Sequence, residues 1–121
     1  MQKKYLVRDT TVENCFADVA KEMFGTANEN QTVVITFEFK EQNLQKSLLM
    51  WLKLIIQKAK QHQIAFSDFR LKHKGDIWYG TLAGYKLPAK NKQTFTRIKI
   101  NHVLITKQDH QWQTSFIAKV A

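Results

Sequence analysis

The chain has a single cysteine, Cys15, which rules out an internal disulfide and a cysteine-built metal cluster. Glycine occurs four times and proline once, with no low-complexity tract or internal repeat. Neither a Gly-x-Gly-x-x-Gly nor a Gly-x4-Gly-Lys-Ser/Thr phosphate loop is present. Gly80 and Gly84 therefore read as close-packing or bend positions in a strand region. Long apolar runs are missing as well. The longest, Leu48 to Leu52, is far too short to span a membrane. The opening MQKKYLVRD lacks the apolar core of a secretory signal, so the expected setting is cytoplasmic, with no membrane. Carboxylates are scarce beyond residue 60, where only Asp68, Asp76 and Asp109 occur. That leaves the second half poorly supplied for general acid–base chemistry.

What is there is a chain of 121 residues, 44% hydrophobic, enough for one domain (1–121) with a modest core. Its net charge is +9 and its pI about 9.8, which suggests an anionic partner. The charge is segregated. Residues 1–60 carry nine Lys/Arg against seven Asp/Glu, and residues 61–121 carry ten against three.

Lys3 to Arg8 reads as a first strand. Thr10 and Glu13 have capping-box spacing. Val12, Cys15, Phe16, Val19, Ala20 and Met23 then recur on one helical face. Cys15 lies on that face and reads as a small core residue. Gly25 supplies the stop, on the expectation of a positive φ. Thr32 to Phe39 is the strongest strand, and its continuous apolar start suits a central, two-sided position. Asn43 heads a helix to about His62, with Leu44, Leu48, Leu49, Trp51, Leu52, Ile55, Ile56 and Ala59 on its apolar side. Met50 and Leu54 widen that side enough to suggest a subunit interface. Beyond residue 66, β-like runs (69–73, 76–83, 94–100, 102–107, 111–119) alternate with turn signals at 74–76, 87–88 and 108–110. The expected class is α+β: a β-α-β-α half followed by a β-rich, basic half, as one mixed or antiparallel sheet packed by two helices.

No histidine among His62, His73, His102 and His110 stands at metal-ligand spacing, so they read as surface or turn residues, and no metal or cofactor is expected. Glu38 and Lys40 share one strand face before a helix, as in metal-dependent nucleases of the PD-(D/E)xK group. The upstream acid such a site needs has only Asp18 and Glu22 as candidates. On balance the chain reads as no enzyme.

The stretch FRLKHKGDIWYG sets cations and rings around one turn. Arg70, Lys72 and Lys74 alternate on one strand face, and Arg97 and Lys99 do so on a later strand with Phe95 in register. Trp78 and Tyr79 are adjacent, so one faces the core and the other solvent. With Lys86, Lys90 and Lys92, these residues form the candidate nucleic-acid site: Arg70, Lys72, Lys74, Trp78, Tyr79, Lys86, Lys90, Lys92, Arg97 and Lys99. Cations in a row meet phosphates, and an exposed ring offers a stacking platform to unpaired bases.

Tyr5, Leu6, Val7, Arg8 and Asp9, followed by Val12, Asn14 and Cys15, resemble the start of phage NinB/Orf recombination proteins. A motif of that family, Arg-Ser-Leu-x-Gln-Asn-x-Leu-(Tyr/Leu)-Trp, is similar to residues 43–51, where Leu44, Leu49 and Trp51 fall in place. Lys46 and Ser47 stand where the family has Gln-Asn, and the leading arginine is missing. The resemblance covers about half the chain and implies a homodimeric mediator binding single-stranded or branched DNA beside the host single-strand-binding protein, without a catalytic site. The sequence as a whole leaves three expectations. The first is such a DNA-binding recombination protein. The second is a small basic module docking on an acidic host protein. The third is a nuclease using Glu38 and Lys40.

Overall fold

The computed structural model of the chain describes residues 2–25, 31–87 and 98–120. In chain order it contains β1 (Gln2–Asp9), α1 (Val12–Phe24), β2 (Val33–Lys40), α2 (Leu44–His62), β3 (Ile64–Lys74), β4 (Ile77–Lys86), β5 (Ile98–Gln108) and β6 (Gln111–Val120). The class is α+β, with two antiparallel three-stranded sheets in place of the expected one. The first is ordered β1-β6-β5 and the second β2-β4-β3.

The helices start where a side-chain oxygen takes up an otherwise orphaned N–H. Thr11, one residue later than the spacing suggested, caps α1 by accepting from the Asn14 N–H at 3.1 Å. Thr10 instead turns to Asp9, whose carboxylate accepts the Thr10 N–H at 2.6 Å. Asn43 caps α2, accepting from the Lys46 N–H at 3.0 Å. The stop at Gly25 works by a different physics from the one expected. Its φ is −63°, and a Cβ there would run into the Lys21 carbonyl, so the position needs absence of bulk and not a left-handed turn. The left-handed helix end belongs to Gln63, φ 53°, after α2.

Two tight hairpins set the registers of the later strands. Lys74 pairs with Ile77 across Gly75 and Asp76, with Gly75 at φ 64°. Gln108 pairs with Gln111 across Asp109 and His110, both at positive φ, which suits the right-handed twist of the flanking strands. A bulge between Asn101 and Leu104 holds His102 at φ 56° and shifts the register of β5.

Each sheet turns one face to the helices. Cys15 of α1 is fully buried, its thiol facing the Val7 carbonyl at 3.4 Å and the Thr114 hydroxyl at 3.2 Å, both on the first sheet. Burial pushes that thiol's pKa up, which keeps it protonated and inert. One residue on, the Phe16 ring stacks with Trp78 of the second sheet at 5.6 Å between centroids. α2 likewise reaches both sheets. Trp51 stacks with Phe37 at 5.7 Å and donates its indole N–H to the Phe16 carbonyl at 3.0 Å, while Gln45 donates to the Val103 carbonyl at 3.1 Å. The two helices are thus wedged between the inner faces of the sheets, and one hydrophobic core runs through all three layers.

Two expectations change for this reason. β2 is an edge strand, alternating half-buried and exposed residues, and not a central one. The wide apolar side of α2 is spent on two sheets of its own chain. Ile56 and Leu44 pack on the core, leaving Leu49 and Met50 as the exposed large apolar residues of the helix, so its breadth no longer points to a homodimer. Among the described residues no helix is long and apolar enough to cross a membrane.

Candidate functional site

The outer face of the second sheet gathers the residues of the β3–β4 hairpin. Strand pairing places Lys40, Ile77 and Lys74 in one row, then Glu38, Tyr79 and Lys72, then Thr36, Thr81 and Arg70, then Val34, Ala83 and Asp68. Arg70, Lys72 and Lys74 do share this face and are exposed, with Tyr79, 41% exposed, in the row of Lys72. Val34 adds an apolar side chain that is 62% exposed. Part of the charge is answered locally. Arg70 Nε lies 3.1 Å from Asp68 Oδ2, and Lys40 Nζ lies 3.5 Å from Asp76 Oδ2.

Among the described residues, Trp78, Lys86 and Lys99 do not join this face. Trp78 is fully buried, stacked against Phe16, Phe39 and His73, with its indole N–H donated to the Glu41 carbonyl at 3.2 Å. It is a structural residue, because alternation along β4 sends it to the helix side when Tyr79 faces out. Lys86 is exposed at the end of β4, and alternation puts it on the side of Trp78. Lys99 is exposed on β5, in the first sheet, and so belongs to a different face from Arg70. Lys90, Lys92 and Arg97, with Phe95, lie outside the described residues.

The outer face of the first sheet escaped the sequence reading, apart from Lys99. Its rows are Gln2, Lys119 and Lys99; Lys4, Ile117 and Asn101; Leu6, Ser115 and Leu104; and Arg8, Gln113 and Thr106. Leu6 and Leu104 are 50% and 54% exposed. Arg8 Nε donates to Gln113 Oε1 at 2.8 Å. At that end of the face a depression of about 280 Å³ is lined by Arg8, Thr106, Gln108, Asp109, Gln111 and Gln113. The signal for this face was present in β1 and β6 as polar–apolar alternation, but only pairing across 105 residues brings Arg8 to Gln113.

Among the described residues, the carboxylates named for a nuclease site lie on different elements. Glu38 and Lys40 share the second sheet's outer face, but of the two candidate upstream acids Asp18 is paired with Asp9 at the end of β1 and Glu22 is exposed on α1. Burial, and then the Asp9 carboxylate, push the pKa of Asp18 up to about 6, while the bond from Asp18 holds Asp9 below the usual carboxylate range. Among the described residues no three His, Cys, Asp or Glu side chains are grouped to hold a metal ion.

The fold has a solved counterpart. The solution structure of Methanobacterium thermoautotrophicum protein 1598 superposes with a TM-score of 0.74, over 98% of this chain and 92% of that one, at 19% sequence identity. No curated protein matches the sequence. The profile of the Archease protein family (MTH1598/TM1083) matches residues 5–120. This match runs through the β-rich half, where the NinB/Orf resemblance had nothing to offer. It replaces the expectation of a phage recombination protein, and with it the expected partners, single-stranded or branched DNA and the host single-strand-binding protein. Of the apolar residues that carried the earlier resemblance, Tyr5, Val7, Val12, Cys15 and Trp51 lie in the core and Leu44 packs against it, while Leu6 and Leu49 are exposed. The chain belongs to the Archease protein family.

Proposed function

We propose that this archease-family chain is a non-catalytic accessory protein that docks on an RNA-processing enzyme, an RNA ligase being the first partner to test. The observation that carries this reading is the outer face of the second sheet. It is a solvent-open surface on which Lys40, Arg70, Lys72 and Lys74 surround Ile77 and Tyr79. An apolar centre with a charged rim is the anatomy of a protein interface, in which the rim sets association rate and the centre sets residence time. This is the basic protein-binding module expected from the sequence, and we assign its contact to this face. The partner's matching surface is acidic, and the setting is cytoplasmic.

The test is an association measurement between the purified full chain and an RNA ligase, followed by ligase turnover with and without the chain. Binding is expected to weaken about tenfold in Lys72→Glu/Lys74→Glu, with the loss mainly in the association rate and shrinking at high salt. An unchanged affinity in that variant, or no effect of the chain on ligation, overturns the reading.

A further inference from the structure

We propose that the outer face of the first sheet is a second docking surface, built for an acidic protein segment that carries leucine-like side chains. The inference goes beyond the docking reading above and stands on a different sheet.

Three features of the face select this occupant. The first is charge. Lys4, Arg8, Lys99 and Lys119 lie on the outer rows, and the paired rows of that face hold no carboxylate. Among the described residues none of these four cations is in an ion pair, and Asp109, beyond the rows at the hairpin, is the nearest acid that lines the depression. The second is the centre. Leu6 and Leu104 flank Ser115, with Ile117 one row along, so aliphatic side chains sit exposed in the middle of a cationic frame. The third is the amide-rich depression of about 280 Å³ beside Arg8. The side chains of Gln108, Gln111 and Gln113 both donate and accept hydrogen bonds, as a peptide backbone does.

The same features disfavour the rivals. A single-stranded nucleic acid is gripped by rings that stack on its unpaired bases, and the rows of this face contain none. A second copy of the chain would bring four more cations against these four, across a two-fold axis that pairs like with like. A lipid surface would satisfy the lysines and leucines but offer no peptide backbone to the amides of Gln108 and Gln111. An acidic segment satisfies all three. Its carboxylates meet Lys4, Lys99, Lys119 and Arg8, its apolar side chains cover Leu6, Leu104 and Ile117, and its backbone takes the glutamines.

The probe is a fluorescein-labelled 15-residue peptide of Glu and Asp with three spaced leucines, titrated into the full chain and read by anisotropy. Amide shifts in a ¹⁵N spectrum locate the site. A peptide with serine in place of leucine, a single-stranded RNA 15-mer and vesicles containing phosphatidylglycerol are titrated in parallel. The leucine peptide is expected to bind at least tenfold tighter than the serine peptide and to shift amides of β1, β5 and β6. Leu6→Ser/Leu104→Ser, both at exposed positions, is expected to lose about tenfold, the scale of a truncated interface anchor. Lys72→Glu/Lys74→Glu, on the other sheet, is expected to bind the peptide as the unaltered chain does. Equal affinity for the two peptides, unchanged binding in the leucine variant, or preference for RNA or vesicles overturns the proposal. Because the two variants lie on different sheets, loss of ligase association in one and of peptide binding in the other separates failure here from failure of the ligase reading.

Discussion

Among the described residues the two outer sheet faces each carry four cations, yet they present different fields. On the second sheet, Arg70 is held by Asp68, Lys40 by Asp76, and Glu38 sits in the same row as Lys72. On the first, Lys4, Arg8, Lys99 and Lys119 share their rows with amides, hydroxyls and aliphatics alone. The stretch FRLKHKGDIWYG looks the more basic in sequence because its cations are close together along the chain. The less neutralised face is assembled from residues of β1, β5 and β6, which are up to 117 positions apart in the pairing of Gln2 with Lys119. Charge read along a strand does not count the acids that a neighbouring strand brings alongside.

The inner faces differ as well, and there the largest effect is expected. The second sheet meets the helices through rings, Trp78 on Phe16 and Phe37 on Trp51, and these crowd its central strand. β4 answers the rings with Gly80, while Gly84 makes room for the backbone of β3. A Cβ at Gly84 would collide with the backbone of Ala65 and Phe66, and one at Gly80 would come within 2.6 Å of the Phe37 ring and 2.8 Å of Trp51. Backbone cannot swing aside as a ring can. Gly84→Ala is therefore expected to cost about 3 kcal/mol and Gly80→Ala rather less, by urea unfolding. The central strand of the first sheet needs no such relief and places Thr114, Phe116 and Ala118 inward. Equal tolerance of alanine at both glycines would erase this contrast between the sheets.

Much of this was legible in the chain. The faces of α1 and α2 follow from helical spacing, and the positions of Cys15, Phe16, Leu48, Trp51 and Leu52 in the core follow from those faces. The alternation of Arg70, Lys72 and Lys74, and the opposite fates of Trp78 and Tyr79, follow from the two-residue period of a strand. The division into two sheets was not legible, because nothing local to β1 says that it pairs with β6 instead of β2. The same blindness made β2 seem central. Val33, Ile35, Phe37 and Phe39 pack on the core from one side, while Val34 at the start of the strand is exposed and made the run look two-sided. The first sheet's face was missed for want of that pairing.

A smaller effect is expected at the rim of the first sheet, where Asp9 ends β1 and bonds to Asp18 of α1. Burial raises the Asp18 pKa to about 6, above its value in an unfolded chain, so its contribution to stability is present at acid pH and is lost as pH rises through about 6. Asp9 is shifted the other way and contributes above the ordinary carboxylate range, losing that contribution as pH falls. The pair is therefore best served between the two, with one proton shared. Asn at position 18 keeps an N–H to donate and has no charge to acquire. Asp18→Asn is expected to stabilise the chain by about 1 kcal/mol at pH 7, solvent at this half-buried site cutting the full linkage, with the gain shrinking towards pH 5. A gain independent of pH would place its cause outside the carboxylate pair.

The smallest effect probes the neutralisation on the second sheet directly. Arg70 and Asp68 are two apart on β3, and strand alternation would place them on the same side even without the bulge between Phe66 and Asp68. Their contact at 3.1 Å is a surface pair with both side chains open to solvent. Such a pair gains little, because water screens the attraction and ordering two side chains costs entropy. Arg70→Gln should therefore change stability by less than about 0.5 kcal/mol. Its effect on association should also be small, since Asp68 already cancels much of the field that Arg70 projects. On the first sheet no carboxylate in the rows plays that part for Lys119, so Lys119→Gln should slow capture of the acidic peptide by more than Arg70→Gln slows capture of the ligase. If Arg70→Gln proves the more damaging of the two, counting paired acids is the wrong way to rank the faces, and direct contact by Arg70 outweighs the field.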